Sequence, residues 1–236
     1  MNGSVTLDLV RSQLSSAGRV VSAEQGIGER TFRQLLHSIV TLEYEPGEIV
    51  SERELIERTA SSRPALRMAV ARLADLGLIT PLARKGLLVA PLDVLDVSAV
   101  YDARMAIETA VVRFAAQRAT SEQITSLRNL SQASREEETA AGFVARDLAL
   151  HLALARAGRN RHLEDALTRI LPLSARLWHR AYRELGSDRR FMYEHHDIIE
   201  AIADRDPARA EEAVLAHLHS AREILANVFL PLTGDG

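Results

Sequence analysis

Two regimes of hydrophobic patterning divide this chain. From residue 29 to about 92 the patterns are short and mixed. ERTFRQLLHSIVTL, at 29–42, places Phe32, Leu35, Leu36, Ile39 and Val40 on one helical face. Pro46 and Gly47 punctuate EPGEIV as a turn. Ser51, with Glu54 three residues on, reads as a capping box that opens a second helix over about 51–59. A third helix opens at Ser62, with Arg63 and Pro64 in a first turn where proline removes no needed N–H. It carries Leu66, Ala69, Val70, Leu73 and Leu76, and Gly77 ends it. LIT and GLLVAPL, joined by PLARK, read as a small β-hairpin. Three helices and a hairpin in this order predict a winged helix-turn-helix over residues 29–92.

From about 96 to 229 the period is helical throughout, in segments 96–118, 121–138, 140–157, 160–184, 187–204 and 207–229. Breaks are expected at Thr120–Ser121, Gly142, Gly158, Gly186–Ser187 and Asp206–Pro207, and a kink at Pro172. Six helices with short loops predict an all-α antiparallel bundle over 96–229. Residues 1–28 hold Gly3, Gly18, Gly26 and Gly28 with weak periodicity, and are expected to form a flexible arm with a short helix at 5–16. The fold class is thus mainly α, with one small sheet in the N-terminal module.

Composition narrows the function classes. The 236 residues contain no cysteine, which excludes thiolate chemistry and Cys-based zinc fingers. No apolar run approaches the roughly 18 residues of a membrane helix. The N-terminal stretch lacks a basic start followed by an apolar core, so no secretory signal and a cytoplasmic location are expected. Aromatics are only 4%, so the core is built from Leu, Ile, Val and Ala, which suits helices.

Charge changes the picture more. The chain is net −3, yet residues 58–90 hold six cations (Arg58, Arg63, Arg67, Arg72, Arg84, Lys85) against one anion, Asp75. Glu43, Glu45, Glu48, Glu52, Glu54 and Glu57 precede them, so the module is polarised. Arg63 and Arg67 share a face in the first turns of the third helix, the part that enters a major groove in a helix-turn-helix. A guanidinium pairs bidentately with guanine or with phosphate. Arg84, Lys85 and Gly86 form the hairpin tip, where a wing touches the backbone or minor groove. The alternative is a solvated face of an arginine-rich protein, since Lys85 is the only lysine among 29 basic residues. Helix order, cap, wing and charge split together favour DNA.

Eight histidines are unevenly placed. Asp147 and His151 stand at i and i+4 among leucines, and a carboxylate with an imidazole there is costly unless satisfied. His195 and His196 follow in YEHHDIIEAI, and His217 and His219 in AVLAHLHSA. An Asp and three His from three helices suit Zn²⁺, Ni²⁺ or Mn²⁺. Taken singly, each histidine reads as a surface or hydrogen-bonded residue. Neither His-Glu-x-x-His nor Glu-x-x-His occurs.

PGEIVSERELIERTASSRPALRMAVARLADLGLITPLARKGLLVAPLD resembles the winged helix-turn-helix of GntR-type bacterial transcription regulators. The family's Ser-Arg-x-Pro-Val-Arg here reads Ser62-Arg63-Pro64-Ala65-Leu66-Arg67, with the proline one residue early and the arginine spacing kept. The resemblance implies that Arg53, Arg63 and Arg67 contact DNA, with Ser62 at a phosphate. YDARMAIETAVVRFAAQRAT, RDLALHLALARAGRN and EHHDIIEAIADRDPARAEEAVLAHL resemble the FCD domain, the ligand-sensing bundle of the FadR branch of that family. It implies a metal set of Asp147, His151, His195 and His217, the IIEAI run selecting His195 over His196 and the AHL run His217 over His219. Zinc is the first choice of ion. The resemblance also implies that Arg104 pairs with an acidic small-molecule effector, against an alternative in which Arg104 and Glu108 form a surface i,i+4 pair. FCD members that bind acyl-CoA lack the metal ligands, so the effector implied is a small organic acid.

These readings converge on a homodimeric repressor, not an enzyme, reading a palindromic double-stranded operator under effector control. Two alternatives stay open. One is a metal-dependent hydrolase or lyase on a bundle, which lacks a dedicated general acid or base beside the ligands. The other is a regulator whose metal is purely structural.

Overall fold

The computed structural model describes residues 23–135, 139–185 and 195–229. The short helix expected at 5–16 and the break expected at Gly186–Ser187 lie outside them. The chain divides at Leu92–Asp93 into two compact units.

The first unit contains α1 (Ala23–Val40), β1 (Ile49–Val50), α2 (Glu52–Thr59), α3 (Arg63–Asp75), β2 (Ile79–Leu82) and β3 (Gly86–Val89). Residues 23–28, expected in the arm, are the opening turns of α1. The apolar face read from sequence is the face that packs: Phe32, Leu35, Leu36, Ile39 and Val40 are buried, with Leu66, Ala69 and Leu73 of α3. Each of these Phe, Leu, Ile and Val side chains contributes roughly 1.5–3 kcal/mol of burial. Ser62 caps α3 through its Oγ, which accepts from Ala65 N at 3.3 Å. Ser51 Oγ likewise accepts from Glu54 N at 3.2 Å, but Glu54 returns no bond among the described residues, so half of the expected capping box forms.

The expected hairpin is present, and a third strand joins it. The sheet order is β1-β3-β2, all antiparallel, with Val50 opposite Leu87 and Thr80 opposite Leu88. The sequence reading took Ile49–Val50 as turn, because a two-residue strand shows no period and its partner lies far along the chain. Gly86 sits at φ +109°, and a Cβ there would lie 2.4 Å from Val50 O. Only glycine fits where the wing crosses the β1 backbone.

The second unit comprises α4 (Val94–Arg118), α5 (Ser121–Arg135), α6 (Ala140–Ala157), α7 (Arg161–Leu185), α8 (His195–Ala203) and α9 (Pro207–Phe229). α4 is the hub, packing against α6, α7, α8 and α9. It buries Val97, Tyr101, Val111, Val112, Ala115 and Ala116, and also Arg104 and Glu108. Asp93 opens it with a capping box closed by Asp96. Gly142 lies inside α6 rather than breaking it, because Thr139 Oγ1 caps the helix by accepting from Gly142 N at 3.0 Å. α7 runs on through Pro172. Among the described residues no helix is long and apolar enough to cross a membrane.

Candidate metal centre and nucleic-acid interface

In the first unit the cations fall into two groups. Arg63 and Arg67 on α3, and Arg84 and Lys85 at the hairpin tip, are exposed and form no ion pair among the described residues. Arg53, on α2, is 87% exposed and donates to Glu57 at 2.8 Å. Ser62 spends an oxygen lone pair on its cap, which leaves its hydroxyl proton available to an acceptor.

Arg58 and Arg72, counted in the basic tally, are engaged internally. The Arg72 guanidinium lies 3.6 Å from the Phe32 ring centroid, and its NH1 donates to Glu29 at 2.5 Å, tying α3 to α1. Glu29 is held below the usual carboxylate range: burial opposes this, but bonds from Arg33 and Arg72 overcome it. Arg58 covers Tyr44 at 4.4 Å and approaches Glu43 at 3.7 Å. Gly86 is half-buried beneath Val50, so its place at the tip is set by packing.

In the second unit three helices bring four polar side chains to one buried point. α6 supplies Asp147 and His151, α8 supplies His195 as its first residue, and α9 supplies His217. Their exposures are 7%, 0%, 1% and 2%, and one ligand atom from each lies within 4.8 Å of all the others. His151 Nε2 is 3.5 Å from Asp147 Oδ1, and His195 Nε2 is 3.2 Å from the same oxygen. The His195 and His217 rings are 4.3 Å apart between centroids. Neither ring nitrogen of His195 makes an aligned hydrogen bond. His196 and His219 are exposed and outside the cluster.

The four groups are electrostatically coupled. Burial pushes Asp147 toward the neutral form, yet His151 and His195 hold it well below the usual carboxylate range. Burial, reinforced by His195 and His151, drives His217 well below the ordinary histidine range. Burial also works against charge on His151, but Glu108 outweighs it and raises the imidazole to about 9. Asp147 supplies an anionic oxygen and three imidazoles supply nitrogens, the donor set of a borderline divalent ion. His195 has both ring nitrogens buried without an aligned partner, and such an ion would satisfy one of them. The residues present fit a metal.

Around this centre lies a network in which the sequence indicated Arg104 but not Tyr101, Ser174 or Trp178. Arg104, 1% exposed, donates from Nε to Glu108 Oε1 at 2.6 Å and from NH1 to Ser174 Oγ at 2.9 Å. Its NH2 lies 3.0 Å from His151 Nε2. Trp178 Nε1 donates to the Tyr101 hydroxyl at 2.9 Å, which also receives Arg104 NH1 at 3.3 Å. Glu108 uses its other oxygen for His151 Nδ1. The i,i+4 pair considered for the surface does form, but deep in the bundle. Arg104 and Glu108 lie in helical register with the apolar stripe Val97, Val100, Tyr101, Val111 and Val112 of α4, and that was the available signal.

Comparison with known proteins follows the same division. The profile of "Bacterial regulatory proteins, gntR family" matches residues 27–89, and that of the FCD domain matches 99–220. The chain is 31% identical over 181 residues to the Nta operon transcriptional regulator of Aminobacter aminovorans, covering 76% of this chain and 85% of that one. It is 27% identical over 207 residues to the HTH-type transcriptional repressor RspR of Escherichia coli (86% and 91%). Against HTH-type transcriptional regulator LutR of Bacillus subtilis it is 27% identical over 212 residues (79% and 95%). Among solved structures, a GntR protein of Rhodococcus sp. RHA1 superposes with TM-score 0.70 at 22% identity (86% and 98%). Escherichia coli McbR/YncC does so at 0.72 and 15% (85% and 97%).

Proposed function

We propose a function on one premise: the chain belongs to the gntR family of bacterial regulatory proteins and carries an FCD domain in its second unit. It is a transcriptional regulator, as the named relatives are. Our reading is a cytoplasmic, homodimeric repressor whose operator affinity responds to a small carboxylate held at a divalent metal, zinc first, with nickel or manganese next.

The observation that carries this reading is the buried Asp147, His151, His195 and His217 cluster with Arg104 at its edge. A metal bound there supplies Lewis-acid positions that an anionic oxygen completes. Arg104 borders the same space as the ligand nitrogens. Its guanidinium stays charged, because Glu108 outweighs burial and raises its pKa, so it can pair with a carboxylate. Tyr101 and Ser174 hold that guanidinium in place. The site reads as a sensor rather than a catalyst, in keeping with relatives named as regulators.

On the DNA side, Arg63 and Arg67 would read base edges or phosphates from the start of α3. Arg53, Ser62, Arg84, Lys85 and the backbone at Gly86 would hold the phosphate backbone. Two heads related by two-fold symmetry would read a palindrome. Effector binding changes operator affinity by its differential affinity for the two states, and by no more.

A melting screen of zinc-loaded protein against lactate, pyruvate, citrate and gluconate tests the sensing half. A ligand at 100 times its Kd adds about 2.7 kcal/mol. A hit that disappears in Asp147→Ala supports the reading. A screen that stays flat across small acids overturns the effector assignment.

A further inference from the structure

We propose that Glu108 is a positioning residue, one carboxylate that fixes which nitrogen of His151 is offered to the metal while anchoring Arg104 beside it. The inference rests on the metal reading of the centre. It assigns a role to a residue that is not itself among the four ligands.

Glu108 is 1% exposed, and its two oxygens have separate tasks. Oε1 receives Arg104 Nε at 2.6 Å, one turn back on α4. Oε2 meets His151 Nδ1, across the interface between α4 and α6. An ionised carboxylate only accepts, so the bond requires a proton on Nδ1. A neutral His151 then carries its lone pair on Nε2, the nitrogen that lies 3.5 Å from Asp147 Oδ1 and 3.0 Å from Arg104 NH2. The tautomer needed at the centre is thus written on a different helix from the ligand. Arg104 keeps Glu108 ionised in a place where a lone carboxylate would be strongly disfavoured. Outer partners of metal-bound histidines act in this way, orienting the ring and choosing the nitrogen.

A merely structural Arg104–Glu108 pair would be indifferent to the tautomer, and the two roles separate in Glu108→Gln. Glutamine keeps the size and can still accept from Arg104. Its amide then turns N–H donors toward His151 Nδ1, which must become an acceptor, and the proton moves to Nε2. Folded Glu108→Gln should bind zinc 10–100-fold more weakly than the parent chain in competition titrations. Unchanged zinc affinity in the folded variant would overturn the proposal. Should the variant not fold, ¹⁵N–¹H spectra of the zinc-loaded parent chain decide. A His151 with Nδ1–H and a metal-bound Nε2 supports the proposal, and a metal-bound Nδ1 defeats it. A parent chain that takes up no zinc in the same titration removes the metal reading itself, and this inference with it.

Discussion

The head wears its chemistry outside and in one stretch of chain, whereas the bundle hides its chemistry and gathers it from distant places. Arg63 and Arg67 lie four residues apart on one exposed helix face, and Arg84 and Lys85 follow in the turn between two short strands. Asp147, His151, His195 and His217 span three helices and about 70 residues, all buried. Exposed cations retain their hydration and wait for a polyanion, so their cost in the free protein is small. Buried imidazoles and carboxylates lose hydration on folding, so they must satisfy one another or hold an ion. The head's site can therefore be altered without unfolding it, while the bundle's site is part of what holds its three helices together.

That contrast can be broken at several points. The largest effect is expected from Arg63→Ala with Arg67→Ala. Loss of two bidentate contacts should weaken operator binding by about 2–6 kcal/mol in fluorescence anisotropy. Zinc uptake and the bundle's melting should stay as they were, and a bundle that changed with the head would refute the separation. Chelation comes next. If zinc binds the native bundle alone, free zinc at 1,000 times its Kd contributes about 4 kcal/mol, so removing it should lower the melting temperature by several degrees. His217→Ala should abolish that difference.

The pH profile sharpens the same point. Metal-free, the bundle should lose stability below pH 6.5, where His217 charges in the unfolded chain but resists doing so when folded. Glu108, held at about 2, adds a further loss as pH falls from 4.5 toward 2. His151, raised to about 9, stabilises fully below 6.5, and that contribution fades as pH rises from 6.5 to 9. Zinc bound at the cluster would take the place of the His151 proton, so the alkaline decline should vanish in melting curves recorded with zinc. Gly86→Ala should cost the head roughly 1–3 kcal/mol in denaturant titration, from strain at positive φ and the Val50 contact. The smallest effect belongs to Arg84→Ala and Lys85→Ala. Each should reduce the salt slope of DNA binding by about 1, uniformly across operator sequences.

The sequence carried the elements further than it carried the contacts. α3 was readable because its cap, its apolar period and its stop at Gly77 are local. Asp147 and His151 were readable as a pair because i and i+4 share a face. His195 and His217 were separable from His196 and His219 only by family resemblance, since which histidine turns inward depends on how α8 and α9 pack. β1 was missed because its ladder partner is β3, which follows only after two intervening helices. The basic tally overcounted because Arg58 and Arg72 find Tyr44, Glu29 and Phe32 inside the head. The Arg104–Glu108 pair was weighed only as a surface alternative and is buried, since spacing alone does not distinguish a solvated pair from a buried one.

The seam between the units falls at Leu92–Asp93, and Asp93 is the residue whose carboxylate accepts from Leu95 N at 2.8 Å and Asp96 N at 3.0 Å. The signal that starts α4 is written wholly on the bundle's side of that seam. A chain begun at Pro91 would still carry its own helix start, so one sensor could be spliced behind many different heads without rewriting its first turn.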